Sequence, residues 1–386
     1  MPMTTQHRTA RRVRSAAAAA LVTVLAVTTA ACQSQSPKPN PAPPGSSGAA
    51  KPGVDVKDIQ SALAKVSSWT ADDWADWAEK NGFKPEDLQA IKAFWDRGRL
   101  SGAKGVDIEK PDTKKWPSMA DVNFPKAIAA KPQPHPYSAD TAVVGKIFIQ
   151  TPEGEGQCSG TVVSDPAHPG KSNLVWTAAH CAHGGKGKDY FQKMAFVPAY
   201  NKSGASSKGK DATLEQVAPL GVWAARGMLV MPQWLQKEGE HGSSASQFDF
   251  AVVRVAASDG SKRSLEETVG GSMPIWFGAQ PGDITSPSSY GYPAADPFDG
   301  EELEHCDSAL KPTPFVFDAS RPPMLAIGCT MTGGSSGGGW FTKHDGKTVL
   351  FSDNSIGNDS WMAGPNLGPD AKRMFDAFVQ GKGGQQ

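Results

Sequence analysis

Apolar residues recur at two different spacings along this chain, and the change of spacing divides it into two parts. Between residue 55 and about residue 100, Ile59, Leu63 and Val66 recur at helical spacing. From about residue 142 the apolar runs are short, and Gly, Pro, Asp and Ser separate them. Many short strands without long helices between them predict a mainly β barrel or sandwich for this second part.

The first part contains signals for three helices. Thr70 precedes Asp73 by three residues, which is the spacing of a capping box, and residues 81–82 (Asn-Gly) end the helix that follows. A third helix is expected to have Pro85 in its first turn and to end at Gly98. The apolar stripe on these helices favours the core of a small bundle over a ligand-binding face. The stripe consists of Trp74, Trp77, Leu88, Ile91 and Trp95.

The N-terminus is typical of a protein that is exported. Four arginines precede an apolar stretch of small residues at 16–31, so residues 1–31 are predicted to be a signal peptide. Cys32 follows in TTAAC, which resembles a bacterial lipobox and implies lipidation of Cys32; the alternative is ordinary cleavage near Ala31, with Cys32 free or lost. Residues 32–54 are rich in Pro, Ser and Gly and are predicted to be a disordered tether. The expected location is extracytoplasmic, as a secreted protein or a cell-surface lipoprotein.

Charge and cysteine content narrow the functional classes. The chain has 386 residues with 39 basic and 39 acidic side chains, so its net charge gives no support for a nucleic-acid partner.

The chain has five cysteines. Without Cys32 the other four permit three pairings, and an exported protein is expected to form disulfides. The pairs that enclose short loops, Cys158 with Cys181 and Cys306 with Cys329, are favoured.

Three motifs in the second part place reactive side chains at the ends of predicted strands. NLVWTAAHC (173–181) reads as a strand followed by a turn that holds His180, and DFAVVRV (249–255) is a strand that Asp249 opens. TGGSSGGGW (332–340) carries Ser335 and Ser336. Its composition is that of a linker, but apolar strand runs flank it, which favours a functional turn. His183 is expected in a surface loop.

These motifs, in the order His, Asp, Ser, resemble the trypsin-like serine peptidases of the chymotrypsin fold, in their bacterial secreted branch. The resemblance covers about residues 142–380 and includes CSGT and YGYP. It implies two six-stranded antiparallel β-barrels, with residues 141–386 as the protease domain. A small α-helical region (55–100), a possible propeptide, and an irregular linker (101–140) precede that domain.

The resemblance also implies a chemistry for each motif residue. In the pattern Gly-x-Ser-Gly-Gly, Ser336 is the nucleophile and Ser335 takes the x position. A serine hydroxyl needs an adjacent base, which is His180, and Asp249 orients the imidazole. The N–H groups of Gly334 and Ser336 form the oxyanion hole. The chain is then a serine endopeptidase that acts through an acyl-enzyme, needs no metal or other cofactor, binds a peptide or protein substrate and is a monomer.

The family pattern bears on two further features. A cysteine at the CSGT position pairs in the family with the one after the histidine, which implies a Cys158–Cys181 disulfide. Relatives that cut after Arg or Lys have Asp at the position of Thr330, and relatives that cut after Glu carry a histidine on the strand after the serine. The only downstream histidine here is His344, in a turn-like KHDGK. We therefore expect an apolar or small residue before the scissile bond.

Two alternatives remain at this level. One is a catalytically silent surface binding protein on a protease-like scaffold, with the Trp-rich helices as its binding module. The other is a zymogen that is inert until the residues before about 142 are removed. Ser335 stands where activatable animal relatives have an aspartate, so activity is not expected to depend on a buried, charged N-terminus. His305 and Cys306 could suggest a metal site, but the sequence shows no second cluster of ligands. A disulfide formed by Cys306 in a polar loop is therefore favoured.

Overall fold

A computed structural model describes residues 56–106, 110–111, 115–238 and 242–381 of the chain. The predicted signal peptide, the tether and Cys32 lie outside the described residues. Within the described ranges, no helix is both long and apolar enough to cross a membrane.

The N-terminal region is helical, as the spacing predicts, but its boundaries differ from the expected ones. The capping box is present: Thr70 Oγ1 accepts from the Asp73 N–H at 3.2 Å, and the Thr70 N–H donates to Asp73 Oδ2 at 2.7 Å. The third helix begins at Leu88, after Pro85, because Asp87 caps it and accepts from the Ala90 N–H. A fourth helix contains the glycine that was expected to end the third. The helices are α1 (Val56–Lys65), α2 (Ala71–Asn81), α3 (Leu88–Phe94) and α4 (Arg97–Gly102).

The apolar stripe of these helices packs against the β part of the chain. Trp74 and Trp95 are buried, and the Trp95 ring lies 5.5 Å from the ring of Phe148, between centroids. The Trp95 indole N–H donates to the Lys193 carbonyl at 2.5 Å. A separate helical bundle was therefore the wrong prediction for this stripe. Trp69 contacts both Trp74 and Trp77, but helices this short cannot bury the whole stripe among themselves, so they also use the barrel surface as a partner.

Strands β1 and β3 to β8 build the first half of the β part, and β2 joins a sheet of the second half. One sheet has the order β1-β4-β3-β6-β7-β8-β5, and an additional pairing of β4 with β5 closes six of its strands into a barrel. The seventh strand, β1, is parallel to β4 and lies at its edge. The strands are β1 (Lys104–Gly105), β2 (Lys131–Pro132), β3 (Val144–Thr151), β4 (Gly154–Val163), β5 (Leu174–Thr177), β6 (Gln192–Pro198), β7 (Trp223–Val230) and β8 (Ala251–Ala257), with helices α5 (Leu214–Val217) and α6 (Leu265–Val269).

The second half contains two sheets instead of the single closed six-stranded barrel that was predicted. The apolar segment 273–278 makes only single bridges at Met273 and Ile275, because Pro274 between them has no N–H to extend a ladder. The sheets have the orders β14-β13-β9-β10-β2 and β11-β12-β16-β15. The elements are β9 (Ser288–Gly291), β10 (Glu304–Asp307), β11 (Thr313–Phe315), β12 (Met324–Gly328), β13 (Gly339–His344), β14 (Lys347–Asp353), β15 (Ile356–Gly357), β16 (Trp361–Pro365) and the closing helix α7 (Pro369–Gln380).

Candidate active site

His180 and Asp249 meet at one end of the barrel because of strand register. β5 and β8 pair antiparallel, with Thr177 opposite Ala251. His180 follows Thr177 by three residues and Asp249 precedes Ala251 by two, so both lie at the same edge of the sheet. His180 lies in a 3₁₀ turn after β5, and Asp249 ends a second 3₁₀ turn before β8. Asp249 Oδ2 lies 2.7 Å from His180 Nδ1, and Asp249 Oδ1 accepts from the His180 backbone N–H at 2.8 Å.

Burial and hydrogen bonding act in opposite directions on the Asp249 carboxyl. Asp249 is fully buried, with a phenylalanine on either side in the sequence, and burial raises its pKa. The positive charge of protonated His180 and the hydrogen bonds from His180 and Ser355 outweigh this effect, and the pKa of Asp249 is lowered from its ordinary value. Asp249 therefore remains ionised and holds the imidazole with Nδ1 as the donor.

The structure distinguishes the two adjacent serines. Ser335 is buried, and its hydroxyl donates to the Thr332 carbonyl at 2.7 Å. The Ser336 hydroxyl is also buried but has no hydrogen-bond partner among the described residues, and the same is true of His180 Nε2. A buried polar atom without a partner is costly and uncommon. Two such atoms on residues of neighbouring motifs indicate groups kept free for chemistry.

The Ser336 turn contacts both β4 and the segment that carries His180. The Ser336 carbonyl accepts from the Ser159 N–H at 2.7 Å and lies 3.6 Å from Cys181 Sγ, in the residue directly after the histidine. Gly337 has φ 78°, and a Cβ there would lie 2.0 Å from Thr177 Oγ1. Only glycine permits this close approach between the two motifs.

The first predicted oxyanion donor is engaged in the structure. Gly334 has φ 95°, a conformation that favours glycine, and a Cβ there would lie 2.7 Å from the Tyr292 carbonyl oxygen. Its N–H donates to the Val106 carbonyl oxygen at 3.0 Å. The Val106 carbonyl therefore occupies the hydrogen-bonding position that the family pattern gives to a substrate.

Sequence reasoning missed three residues that surround this site. The Ser355 hydroxyl donates to Asp249 Oδ2 at 2.6 Å, and the Asn354 side-chain amide donates to the Ser335 carbonyl at 2.9 Å. Asp353 is fully buried, and burial together with the charge of Asp249 raises its pKa well above the ordinary value. The available signal was the polar run SDNS at the end of the apolar strand TVLFSD, because a buried strand that ends in four polar residues needs partners for them.

Both favoured disulfides are present in the structure. Cys158 pairs with Cys181 at an S–S distance of 2.02 Å, and Cys306 pairs with Cys329 at 2.12 Å. Disulfides are typical of proteins that fold in an oxidising, extracytoplasmic compartment. Among the described residues, the one grouping of three potential metal ligands is Cys158, His180 and Cys181, and both of its sulfurs are consumed by the disulfide.

Other residues that the sequence singled out have structural contacts. Thr330 Oγ1 accepts from the Ala130 N–H at 3.0 Å, and the His344 ring stacks on Trp276 with centroids 3.9 Å apart. His305 Nδ1 lies 3.0 Å from a carboxylate oxygen of Asp307. The prediction of a surface position for His183 was wrong: the side chain is buried, and burial lowers its pKa to about 4.

The chain is structurally similar to bacterial secreted serine proteases of the chymotrypsin fold, in agreement with the resemblance predicted from the motifs. Two such proteins are the thermostable serine protease AL20 from an extremophilic microorganism and the protease Anisep from Arthrobacter nicotinovorans. AL20 is 30% identical, with 63% of this chain and 99% of AL20 covered and a TM-score of 0.49. Anisep is 30% identical, with 64% and 98% covered and a TM-score of 0.48.

A third similar structure is a Glu endopeptidase, which is 14% identical, with 67% of this chain and 98% of that chain covered and a TM-score of 0.45. No protein-family model matches the chain, and no curated protein matches its sequence.

Proposed function

We propose that this protein is a serine endopeptidase whose triad is His180, Asp249 and Ser336. The observation that carries the proposal is the buried His180–Asp249 hydrogen bond of 2.7 Å, together with the unpartnered atoms Ser336 Oγ and His180 Nε2. The hydrogen bond fixes the tautomer that leaves Nε2 as a base. A neighbouring hydroxyl without a partner is the group that such a base activates.

The residues then perform two matched half-reactions. His180 Nε2 takes the proton of the Ser336 hydroxyl as its oxygen bonds to the substrate carbonyl carbon, and the imidazolium returns that proton to the leaving amine as the C–N bond breaks. Water then attacks the acyl-enzyme, with His180 again as base, and releases the acid and Ser336. Ionised Asp249 stabilises the imidazolium in both steps.

The oxyanion of each tetrahedral intermediate is bound by the N–H groups of Gly334 and Ser336. Donors of this kind act where charge develops, and loss of one costs roughly 10²–10³-fold in kcat. We assign the two sheets of the second half to the second barrel of the fold. We also propose a monomer that prefers an apolar or small residue before the scissile bond, since Thr330 provides no charge for a basic one.

Active-site labelling with a fluorophosphonate tests the proposed nucleophile. We expect the folded protein to be labelled on Ser336, because only an activated serine attacks this reagent. Ser336→Ala should abolish labelling, and the matched variant Ser335→Ala should retain it, because the Ser335 hydroxyl already donates to Thr332. Peptide mapping by mass spectrometry locates the adduct. An adduct on Ser335, or labelling that survives Ser336→Ala, would refute the assignment.

Ser355 is proposed as a positioning residue for Asp249. A hydrogen bond to a charged group contributes about 1.5–3 kcal/mol, so Ser355→Ala should lower kcat/KM roughly 10- to 100-fold with little change in KM. The matched control is Ser352→Ala on β14, a buried serine that donates to the Pro365 carbonyl. Equal losses of kcat in the two variants would contradict a specific role for Ser355.

Export and lipidation are proposed from the N-terminal sequence alone. The basic and apolar segment before Cys32, the lipobox-like TTAAC and the Pro-rich tether support a protease held at the cell surface. Mass spectrometry of the mature N-terminus after expression in a bacterial host tests this proposal. An N-terminal residue other than acylated Cys32 would rule out the anchor and leave the proposed peptidase activity untouched.

A further inference from the structure

The short segment at residues 104–106 adds an edge strand to the barrel beside the candidate active site. In strand β1, Lys104 and Gly105 pair with Gly156 and Gln157 of β4, and the Val106 N–H donates to the Gln157 carbonyl at 2.9 Å. Main-chain pairing along an exposed sheet edge is a general mode of peptide recognition. The segment therefore binds the β4 edge in the way that a peptide ligand does.

The same segment reaches the turn that carries the oxyanion donors. The Val106 carbonyl accepts from the Gly334 N–H at 3.0 Å. A Cβ on Gly105 would lie 2.6 Å from the Gly333 carbonyl oxygen and 2.9 Å from the Gly334 nitrogen, so the two backbones are in direct contact. A backbone N–H carries one hydrogen. While Val106 holds it, Gly334 cannot bind the oxygen of a substrate carbonyl.

The chain is next described at residues 110–111. Lys110 Nζ lies 3.5 Å from Asp359 Oδ1. A Cβ placed on Gly242 would lie 3.2 Å from Pro111 Cβ and 3.3 Å from Ile356 Cδ1, so Pro111 is next to the strand that begins after Ser355. Lys110 therefore contacts a residue that follows Ser355 closely in sequence, and Pro111 lies beside Gly242.

Helix α4 anchors this segment on the barrel. Arg97 donates to the Tyr200 hydroxyl at 2.9 Å and pairs with Glu301 at 3.3 Å, and Arg99 pairs with Glu155 at the start of β4. A covalently linked and anchored segment competes with free substrate at a high effective concentration. Its pairing needs no high intrinsic affinity to keep the site occupied.

We infer that residues 104–106 are an intramolecular inhibitor that occupies the Gly334 oxyanion donor and the adjoining β4 edge until the segment is displaced. This inference rests on the proposed function, because an inhibitor requires an active site. It differs from a general covering role for the N-terminal region, since it identifies the Val106 carbonyl and the Gly334 N–H as the atoms that compete with substrate.

A pair of single-carbon substitutions tests the contact. Gly105→Ala places a Cβ against the Gly333–Gly334 backbone and should displace the segment. Gly102→Ala is the matched control, because a Cβ there meets nothing within 4 Å. In the intact chain, Gly105→Ala should be labelled by a fluorophosphonate on the order of 10²-fold faster than wild type, the size of effect expected for one oxyanion donor. Arg99→Ala, which removes the pair with Glu155, should accelerate labelling in the same direction.

Hydrogen–deuterium exchange of the peptide that contains Gly334 gives a readout independent of catalysis. The Gly334 amide should exchange faster in Gly105→Ala than in wild type or Gly102→Ala. Equal labelling rates in all proteins, abolished by Ser336→Ala, would overturn the inhibitor and leave the proposed peptidase intact. Faster exchange in Gly105→Ala without labelling of any protein would refute the peptidase, and with it the inhibitor. Equal exchange in the three proteins would show that the contact does not protect Gly334.

Discussion

Hydrogen-bond partners assign different roles to neighbouring residues in this site. Ser335 and Ser336 have the same side chain and both are buried, but one hydroxyl donates to the Thr332 carbonyl and the other has no partner among the described residues. The acids next to one another in space also differ. Asp249 accepts from His180 and Ser355 and remains ionised, whereas the Asp353 carboxyl accepts from the Trp176 indole and has no other hydrogen-bond partner among the described residues.

Asp353 should make the stability of the protein depend on pH. Its pKa is raised in the folded state, so both states are protonated at low pH. As the pH rises above about 4, the unfolded carboxyl loses its proton while the folded one keeps it, and the free energy of unfolding falls. Asp353→Asn removes this titration. We expect the variant to gain stability over wild type as the pH rises, by up to about 1 kcal/mol per pH unit.

Urea unfolding at several pH values between about 4 and 7 measures this difference. Asp345→Asn is the control, because its side chain is 90% exposed in a turn. A difference between wild type and Asp353→Asn that stays constant with pH would show that Asp353 is ionised in the folded protein.

At the scale of elements, strand register and one disulfide hold the histidine turn. β5 and β8 bring His180 and Asp249 to one edge, and the Cys158–Cys181 bond ties the turn after β5 to β4. The second disulfide closes an equally long interval, since both pairs are separated by 23 residues. The two disulfides therefore close loops of equal length, so each should lower the entropy of the unfolded chain by the same amount. They differ in location.

The equal loop lengths allow the effects of removing each disulfide to be compared directly. Replacing both cysteines of either pair by serine should lower the free energy of unfolding by about 3 kcal/mol, because the loops are equally long. Loss of Cys158–Cys181 should also lower kcat/KM more, since Cys181 is next to His180 and beside the Ser336 carbonyl. Urea unfolding and peptide hydrolysis under fully folded conditions measure the two effects. A greater loss of activity in the Cys306–Cys329 variant would contradict this role.

At the scale of the whole molecule, the N-terminal helices and the first barrel share one core. Trp74 and Trp95 are buried in the same apolar cluster as Phe148 and Trp176 of the barrel strands. The region that was expected to form its own bundle is therefore part of the packing that supports β3 and β6. The anchored strand β1 is the continuation of these helices.

A shared core predicts cooperative unfolding. Trp95→Ala should lower the free energy of unfolding by about 3–5 kcal/mol, the usual cost of truncating a buried tryptophan. Far-UV circular dichroism and tryptophan fluorescence should report one coincident urea transition. Phe94→Ala, at the neighbouring half-buried position, should lower the free energy of unfolding by less than Trp95→Ala does. Two separate transitions, with only the first shifted by Trp95→Ala, would indicate that the helices unfold independently of the barrel.

The sequence by itself was enough to predict a mainly β fold and to select the candidate reactive residues. His180, Asp249 and Ser336 were identified from short motifs, because catalysis by a serine requires particular residue types in particular turns. The capping box at Thr70 was also predictable, since it depends on contacts within a few residues. Local interactions are encoded locally, and a single sequence is enough to read them.

Only the tertiary structure decided what depends on contacts distant in sequence. Ser355 lies 106 residues from Asp249, and no local pattern pairs them. The same holds for the helical stripe that packs on the barrel, and for the Val106 carbonyl that meets the Gly334 N–H. These contacts are fixed by the relative placement of whole strands and helices, which depends on the burial of the entire core. For this reason the sequence could predict the reactive groups, whereas the contact between Val106 and the Gly334 turn was visible only in the structure.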